Sequence, residues 1–269
     1  PSLQTPATIS GEFEFRDLSY TYPRTKKPVL QNINLHVKAG ESIAIVGRVG
    51  SGKSTLLKQF TRLLEVREGQ LFLDGYDVRE YPLAQLRDQI AQILQDPFLF
   101  GEPLRNNISY DEPERHLEVI WDSAEAAALR DTIEGFPAQM ETIVGERGVT
   151  LSGGQKQRTA LARGLIRNAP VLILDDCFSS VDTETEEHIL NRLKSLRKDK
   201  TTILVSHRVS TLRHSDRIVV LEEGRIAEMG THQELLRKQG IYAELERVQT
   251  EGGSVSPGFE NADLAPAGL

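Results

Sequence analysis

The sequence feature that most constrains the fold is a nine-residue stretch that reads Gly47-Arg48-Val49-Gly50-Ser51-Gly52-Lys53-Ser54-Thr55. An apolar run at 43–46 comes directly before it and predicts a buried strand. Apolar side chains then recur at helical spacing, at Leu56, Leu57, Phe60, Leu63 and Leu64. A glycine-rich turn between a strand and a helix, ending in Gly-Lys-Ser, fits both the pattern and the context of a phosphate-binding loop.

The residue types of this loop suit a polyphosphate ligand. Glycines let backbone N–H groups surround phosphate oxygens, and the start of the following helix adds unpaired donors and the positive end of a dipole. Lys53 would place a positive charge on the β- and γ-phosphates, and the Ser54 hydroxyl would ligate Mg²⁺. The alternative is a glycine-rich turn beside a surface lysine, which would not require strand, loop and helix to agree with the motif.

Length, charge and cysteine content narrow the class of protein. A chain of 269 residues buries enough surface for one large domain or for a domain with a subdomain. Its net charge of −7 argues against a nucleic-acid partner, because phosphate neutralisation needs an excess of basic residues. Cys177 is the only cysteine, which excludes an internal disulfide and fits a reducing compartment.

Two further features concern targeting. No apolar stretch approaches the ~18–20 residues that a membrane helix needs, and no signal-peptide pattern opens the chain. We therefore expect the isolated chain to be soluble. It begins with Pro1 rather than methionine, so we also expect it to be an excised domain or a processed piece.

Apolar periodicity predicts an α/β domain over 12–249, between a linker at 1–11 and a disordered, Gly/Ser/Pro/Ala-rich tail at 250–269. Strands are predicted at 13–22, 29–37, 43–46, 69–78, 90–94, 171–174, 201–205, 217–221 and 225–228. Helices are predicted after the phosphate loop and at 117–130, 156–167 and 231–249. The first two strands should form an antiparallel pair and the last two a hairpin, with a helical insertion at about 97–167 between two core strands.

Two adjacent carboxylates, Asp175 and Asp176, end the apolar run at 171–174. Ligands of such sheets bind beyond the carboxyl ends of the strands, where the phosphate loop also lies. Asp175 is then the predicted partner for Mg²⁺ next to Ser54, and Asp176 is placed to orient the attacking water. A solvated strand end is the alternative interpretation of both carboxylates.

Two more polar residues follow apolar strands. Gln95 could contact the metal or the water, and His207, after Leu204-Val205-Ser206, could reach the γ-phosphate. Taken singly, each residue also fits an ordinary polar strand end.

A second glycine-containing helix start lies at Leu151-Ser152-Gly153-Gly154-Gln155. Ser152 with Gln155 three residues later is a capping-box pattern, so a simple helix start is one interpretation. Two glycines at that start also expose backbone donors, which predicts a second anion-binding helix terminus. Two phosphate-binding helix starts on separate parts of one chain suggest that two copies share nucleotides across an interface.

In combination and order, these motifs resemble the nucleotide-binding domain of ATP-binding cassette (ABC) transporters over about 12–249. The resemblance rests on the phosphate loop, Gln95-Asp96-Pro97, the 151–155 segment, the strand ending in Asp175, Ser179 to Asp182, and His207. It implies a P-loop NTPase fold with a mixed/parallel core sheet, an antiparallel β subdomain and a helical (signature) subdomain at about 97–167. It also implies ATP and Mg²⁺ as ligands and ATPase activity.

The resemblance further implies a role for individual residues. Tyr22 would stack on adenine, although its alternating position also fits strand packing. Gln95 would sense Mg²⁺ and link to a membrane domain, and His207 would hold the γ-phosphate. In trans, Ser152, Gly153, Gly154 and Gln155 would bind the γ-phosphate of the nucleotide held by a second such domain, and Asp182 would communicate across that interface.

Additional segments resemble the exporter subtype. They are Phe98-Leu99-Phe100, Asn106-Asn107-Ile108, Val144-Gly145-Glu146-Arg147-Gly148, His207-Arg208 to Thr211, and Gly230-Thr231-His232 to Leu235. The loop Gly145 to Gly148, together with the Gln95 region, would contact the exporter's transmembrane domain, which we expect N-terminal to Pro1. The domain would then lie at the cytoplasmic face of the cell (inner or plasma) membrane. The substrate would be chosen by that transmembrane part.

One position departs from the family pattern, because Asp176 stands where the family usually has glutamate. Aspartate is one methylene shorter, and misplacing a base by roughly 1 Å can cost about 10²-fold in rate. We therefore hypothesise that the domain binds ATP but hydrolyses it slowly. The family includes heterodimeric exporters in which one half carries an aspartate here and keeps an intact Leu-Ser-Gly-Gly-Gln segment, and this chain resembles that degenerate half. A homodimeric exporter domain with ordinary turnover, a non-hydrolytic regulatory ATP-binding module and a cassette ATPase acting on DNA or ribosomes are the alternatives.

Overall fold

The computed structural model describes residues 5–145 and 150–251. The strands in chain order are β1 (Phe13–Tyr20), β2 (Leu30–Val37), β3 (Ser42–Gly47), β4 (Leu71–Leu73), β5 (Tyr76–Asp77), β6 (Ile90–Ile93), β7 (Val171–Asp175), β8 (Thr201–Val205), β9 (Arg217–Glu222) and β10 (Arg225–Gly230). The α-helices are α1 (Lys53–Phe60), α2 (Leu83–Asp88), α3 (Leu104–Ile108), α4 (Leu117–Ala126), α5 (Arg130–Glu134), α6 (Gly153–Ile166), α7 (Thr183–Leu196), α8 (Val209–Leu212), α9 (His232–Lys238) and α10 (Ile241–Glu251).

A six-stranded sheet in the order β10-β9-β3-β8-β7-β6 forms the centre of the fold. All neighbours are parallel except β10, which pairs antiparallel with β9. Val205 of β8 pairs with Ile45 of β3 on one side and with Asp175 of β7 on the other. The carboxyl ends of these three strands are therefore level, so the residues that follow them meet at one edge of the sheet.

A smaller antiparallel sheet, β2-β1-β4-β5, covers the helix that follows the phosphate loop. Phe13 and Phe15 of β1 each contact the ring of Phe60 edge-on, with 4.9 Å between ring centroids. Phe60, Leu56 and Leu57 of α1 are fully buried in a core shared by both sheets. This packing fixes α1 and hence the loop before it. The predicted α/β class, with its antiparallel subdomain, is confirmed.

A helical layer formed by α3 to α6 packs against β6 and β7 through a second core. The predicted helix at 117–130 is wrong in extent, because it consists of α4 and α5. Ala128 has a left-handed backbone with φ of 52°, and the guanidinium of Arg158 donates to its carbonyl. The apolar periodicity continues across this break, which is why the sequence did not reveal it.

The predicted helix at 231–249 is also two helices, α9 and α10. Gln239 adopts a left-handed conformation with φ of 52°, which ends α9. The carboxylate of Glu228 then accepts the backbone N–H groups of Ile241 and Tyr242 at 2.6 and 3.2 Å and starts α10. The second helix extends to Glu251, so the predicted tail begins later than 250, and the rest of it lies outside the described residues.

Part of the predicted N-terminal linker packs on the domain. Ile9 is 3% exposed, and the carboxylate of Asp74 accepts backbone N–H groups of Ser10, Gly11 and Glu12 at 2.6 to 3.1 Å. Residues 1–4 lie outside the described range. Among the helices in the described ranges, none has both the length and the apolar character needed to span a bilayer.

Candidate functional site

The phosphate-binding loop lies between β3 and α1, as the sequence predicts. Gly52 precedes α1 with φ of 105°, and a Cβ there would lie 2.9 Å from Leu30 Cδ2, so glycine is required. The first turn of α1 contains no acidic residue. Its N-cap residue, Gly52, provides no side-chain capping hydrogen bond. The N–H groups at the start of α1 therefore remain available to an anion.

Lys53 provides a test of whether this loop fits a phosphate. Its side chain is 8% exposed, and Nζ donates to the carbonyl oxygens of Gly47 and Arg48 at 2.7 and 3.0 Å. Burial lowers the pKa of Lys53, and the charges of Asp176 and Asp175 act in the opposite direction. An ammonium has three N–H donors, so one remains for a phosphate oxygen. The loop residues therefore fit a polyphosphate.

Asp175 and Asp176 follow one another at the end of β7, and burial raises the pKa of both carboxyls. The neighbouring Asp176 raises the pKa of Asp175 further, whereas Lys53 lowers it. Asp176 has a left-handed backbone, with φ of 47°, and the nearby side chains of His207, Arg208 and Lys53 oppose the rise of its pKa. The next residue, Cys177, is 2% exposed, and burial raises the pKa of its thiol.

His207 lies two residues beyond β8, beside these carboxylates. Burial lowers its pKa, Lys53 lowers it further, and Asp176 opposes the shift. The imidazole is therefore neutral at pH 7. Its Nδ1 is buried and makes no hydrogen bond to any described residue.

The predicted Mg²⁺ ligands are Ser54, Asp175 and Gln95. Ser54 is exposed in the first turn of α1, and Gln95 is exposed just after β6, with its carbonyl accepting from Gln157 at 3.2 Å. Across 5–145 and 150–251, no group of three or more His, Cys, Asp or Glu residues could hold a metal. The hydroxyl, carboxylate and carboxamide of the predicted ligands offer oxygen donors, which Mg²⁺ prefers and combines with substrate phosphates and water.

Tyr22 lies beside the start of α1. Its hydroxyl is 3.2 Å from Thr55 Oγ1, and its ring meets Tyr20 edge-on at 5.1 Å between centroids. The side chain is half-buried, so part of its ring surface is available to a base. The structure therefore places the predicted adenine contact next to the phosphate loop.

The second predicted helix start, at α6, has the expected capping box. Gln155 N–H donates to Ser152 Oγ at 3.2 Å, and Gln155 Oε1 accepts from Ser152 N–H at 2.9 Å. A Cβ on Gly154 would lie 2.7 Å from the carbonyl oxygen of Ser180, so this helix start packs closely on residues 179–182. Ser152 and Gly153 are exposed.

Asp182, the other residue predicted to act across an interface, has a structural role in the fold. Its carboxylate accepts Thr185 N–H at 2.9 Å and caps α7, and this backbone hydrogen bond lowers its pKa.

Three further side chains near the site join its segments through contacts that the sequence did not indicate. Gln157 donates to Ser179 Oγ at 2.8 Å and accepts Ser180 N–H at 2.9 Å. Arg208 donates to the carbonyl oxygens of Ser179 and Val181 at 3.1 and 3.0 Å. It also forms a 2.6 Å ion pair with the third residue, Glu186, which is 2% exposed and accepts the Thr211 hydroxyl. These bonds join residues distant in sequence, so no local pattern signals them.

An open groove of about 520 Å³ lies where β6 meets α6. Phe98 is 71% exposed on its rim and meets Phe100 edge-on at 5.1 Å, and Phe100 stacks on Tyr110 at 4.7 Å. The guanidinium of Arg163 donates to the Phe98 carbonyl at 2.9 Å. Gly145, at the start of the predicted membrane-domain loop, is described, and residues 146–148 lie outside the described range.

The chain matches the family described as ABC transporter over residues 30–179. It is 46% identical over 241 residues to the ATP-dependent lipid A-core flippase of Salmonella paratyphi A and 45% identical over 241 residues to that of Escherichia coli. Each alignment covers 89% of this chain and 41% of the relative. A solved structure of a bacterial Atm1-family ABC exporter with ATP bound has a TM-score of 0.86 and 37% identity, over 93% of this chain and 43% of that one.

These similarities agree with the motifs, the sheet order and the phosphate loop described above. They extend over nearly the whole of this chain, which spans less than half the length of the relatives. The relatives are a flippase and an exporter, in line with the exporter features predicted from the sequence. The chain therefore belongs to the ABC transporter family and carries that family's ATPase domain.

Proposed function

We propose that this chain is one of two nucleotide-binding domains that power an exporter. It would bind ATP with Mg²⁺ at the 47–55 loop and close head to tail on a second domain, with two nucleotides between them. ATP binding would drive closure of the two domains, and ATP hydrolysis would reopen them. The domain would lie at the cytoplasmic face of a cell membrane, attached to a transmembrane part.

Several contacts support ATP as the ligand. A polyphosphate could bind the N–H groups at the start of α1 and the remaining donor of Lys53. The ring of Tyr22 lies beside them. Ser54 and Asp175 would hold Mg²⁺, which would neutralise charge on the phosphates. The neutral imidazole of His207 would donate one hydrogen bond to the γ-phosphate.

The observation that carries slow hydrolysis is the position of Asp176. Its carboxylate is one methylene shorter than that of glutamate, and it lies close enough to His207 for that residue to lower its pKa. An attacking water placed for a glutamate would therefore lie beyond its reach by roughly 1 Å. Phosphate binding relies on other residues and is unaffected. We infer that this is the degenerate half of a heterodimer whose intact Ser152–Gln155 segment completes the partner's site.

The exposed helix start at Ser152 and Gly153 supports that role in trans. Its hydrogen bonds lie within its own capping box and its close packing is on Ser180, which leaves the first N–H groups of α6 directed outwards. A γ-phosphate held by a second domain would bind there.

The groove at Phe98 supports attachment to a transmembrane part. Monomeric proteins seldom expose clustered aromatic side chains, and the groove is also lined by Leu94 and Pro97, which flank Gln95 in the sequence. We propose that a cytoplasmic segment of the exporter's membrane domain binds this groove. The exported molecule would be selected by that membrane domain.

Steady-state ATPase assays with parallel ATP-binding measurements test the proposal. We expect the wild-type chain to bind ATP tightly with negligible turnover, and Asp176→Glu to raise turnover by at least about tenfold towards the ~10²-fold that the misplaced carboxylate costs. Lys53→Ala is the negative control for ATP binding and for ATP turnover. Equal, robust turnover in wild type and Asp176→Glu would contradict the degenerate site and favour a homodimer. Tight binding with no turnover in either would favour a regulatory module.

A further inference from the structure

The last helix, α10, contacts the segment that carries His207 through one side chain. Gln249 Nε2 donates to the carbonyl oxygen of His207 at 2.6 Å, and Gln249 Oε1 accepts the N–H of Val209 at 2.9 Å. A single carboxamide therefore holds the peptide groups on both sides of Arg208. Both distances are those of well-formed hydrogen bonds.

The position of His207 depends on its backbone. Its Nδ1 makes no hydrogen bond to any described residue, so no side chain orients the ring through that nitrogen. Ser206 Oγ accepts the Arg208 N–H at 3.1 Å and holds this backbone from one side. Gln249 supplies two further hydrogen bonds, one to the carbonyl of His207 and one from the N–H of Val209.

Helix α10 is anchored well enough to act as a fixed support. Tyr242 is fully buried and Leu245 is 4% exposed, in a core they share with the central sheet. The Tyr242 hydroxyl is 2.8 Å from His232 Nδ1, and Glu228 caps the start of the helix. Gln249 lies about two turns beyond Tyr242, in the last turn of this helix, and its two hydrogen bonds join that turn to the 207–209 segment.

We propose that Gln249 is a positioning residue that sets His207 at the γ-phosphate and thereby makes the site prefer ATP to ADP. This inference rests on the proposed ATP-binding function. Without the two bonds from Gln249, the 207–209 backbone can move away, and a neutral imidazole loses its hydrogen bond to phosphate once it moves by about 1 Å. ADP has no γ-phosphate, so its binding does not depend on this position.

The test measures dissociation constants of ATP and of ADP, each with Mg²⁺, by calorimetry on the 269-residue chain. We expect Gln249→Ala to weaken ATP binding about fivefold, the size of one lost hydrogen bond, and to leave ADP binding unchanged. Gln249→Glu keeps the acceptor for Val209 but places a carboxylate against the His207 carbonyl, so we expect the same selective loss. Arg247→Ala, at an exposed position of the same helix, is the matched control and should change neither constant.

A double-mutant cycle separates positioning from general support. In a His207→Ala background, Gln249→Ala should have no further effect on the ratio of the two constants. An equal loss for ATP and ADP, an undiminished effect in the His207→Ala background, or no effect at all would overturn the proposal. If wild type binds no ATP, the proposed function fails and this inference with it. If wild type binds ATP and His207→Ala weakens it while Gln249→Ala does not, this inference alone fails.

Discussion

Buried and half-buried carboxylates in this fold differ in how they are neutralised. Glu186 is 2% exposed, and Arg208 and Thr211 both donate to it. Asp175 has only partial compensation from Lys53, and burial raises its pKa. A carboxyl whose pKa rises on folding contributes its full stability below the unfolded pKa and loses it as the pH rises through the folded value. Ionised Asp175 therefore lowers stability at neutral pH, a loss that a bound cation would offset.

The Glu186 pair leads to a prediction about stability. Arg208→Ala leaves a buried carboxylate without its cation, so we expect the free energy of unfolding to fall by about 2–3 kcal/mol. Arg213→Ala is the matched control, because its partner Glu187 lies at the surface, and we expect a loss below about 1 kcal/mol. Urea unfolding followed by circular dichroism measures both. Equal losses in the two variants would show that burial of Glu186 does not govern the effect.

At the scale of elements, α6 and the segment before α7 form one unit. Gln157, on the first turns of α6, is 4% exposed and bonds to Gln95, Ser179 and Ser180. The end of β6, the start of α6 and the residues after β7 are thus linked by one side chain. A movement of α6 would carry residues 179–180 with it.

Replacing this side chain should weaken the unit. Gln157→Leu keeps the volume but leaves the N–H of Ser180 and the hydroxyl of Ser179 without partners, so we expect a loss of about 2 kcal/mol in unfolding free energy. Hydrogen exchange should also show faster exchange at Ser180 N–H. Lys156→Ala, at the neighbouring exposed position, should leave both readouts unchanged. Unaltered protection at Ser180 in Gln157→Leu would refute the link.

Elements with a local pattern were predictable from the sequence. The spacing of Gly47, Gly52 and Lys53 gave the phosphate loop, and Ser152 with Gln155 gave the start of α6. The breaks after α4 and α9 were not predicted, because Ala128 and Gln239 take left-handed conformations that neither residue type signals. Side-chain bridges such as those of Gln157 and Gln249 join residues 22 to 62 positions apart, and only tertiary packing brings them together.

At the scale of the whole molecule, the two helix starts that we propose bind phosphate groups have different surroundings. The start of α1 lies between the two sheets, beside Lys53 and Tyr22, and α6 begins in the helical layer with Ser152 and Gly153 exposed. If the start of α1 binds the chain's own nucleotide and the start of α6 binds a partner's nucleotide, only substitutions at α1 should change the ATP affinity of the isolated chain.

The separation is testable on the isolated chain. Lys53→Ala removes a charged phosphate contact, so we expect ATP binding to weaken by at least about tenfold. Gly153→Asp places an acidic side chain in the first turn of α6, where it suits the helix dipole and meets only the Ser180 side chain, so folding should be preserved. Equilibrium binding should show unchanged affinity for ATP. Weaker ATP binding by Gly153→Asp would contradict the assignment of α6 to a partner's nucleotide.

The burial of Cys177, one residue after Asp176, gives the chain an internal kinetic probe. A thiol reagent reacts with an exposed thiolate, and this thiol is both shielded from solvent and shifted to a higher pKa. Because it is the only thiol in the sequence, the rate of its modification reports the local and global openings that expose this strand end. Nucleotide bound beside β7 would make those openings rarer. The rate of Cys177 modification would therefore fall when nucleotide binds, without any label or substitution in the protein.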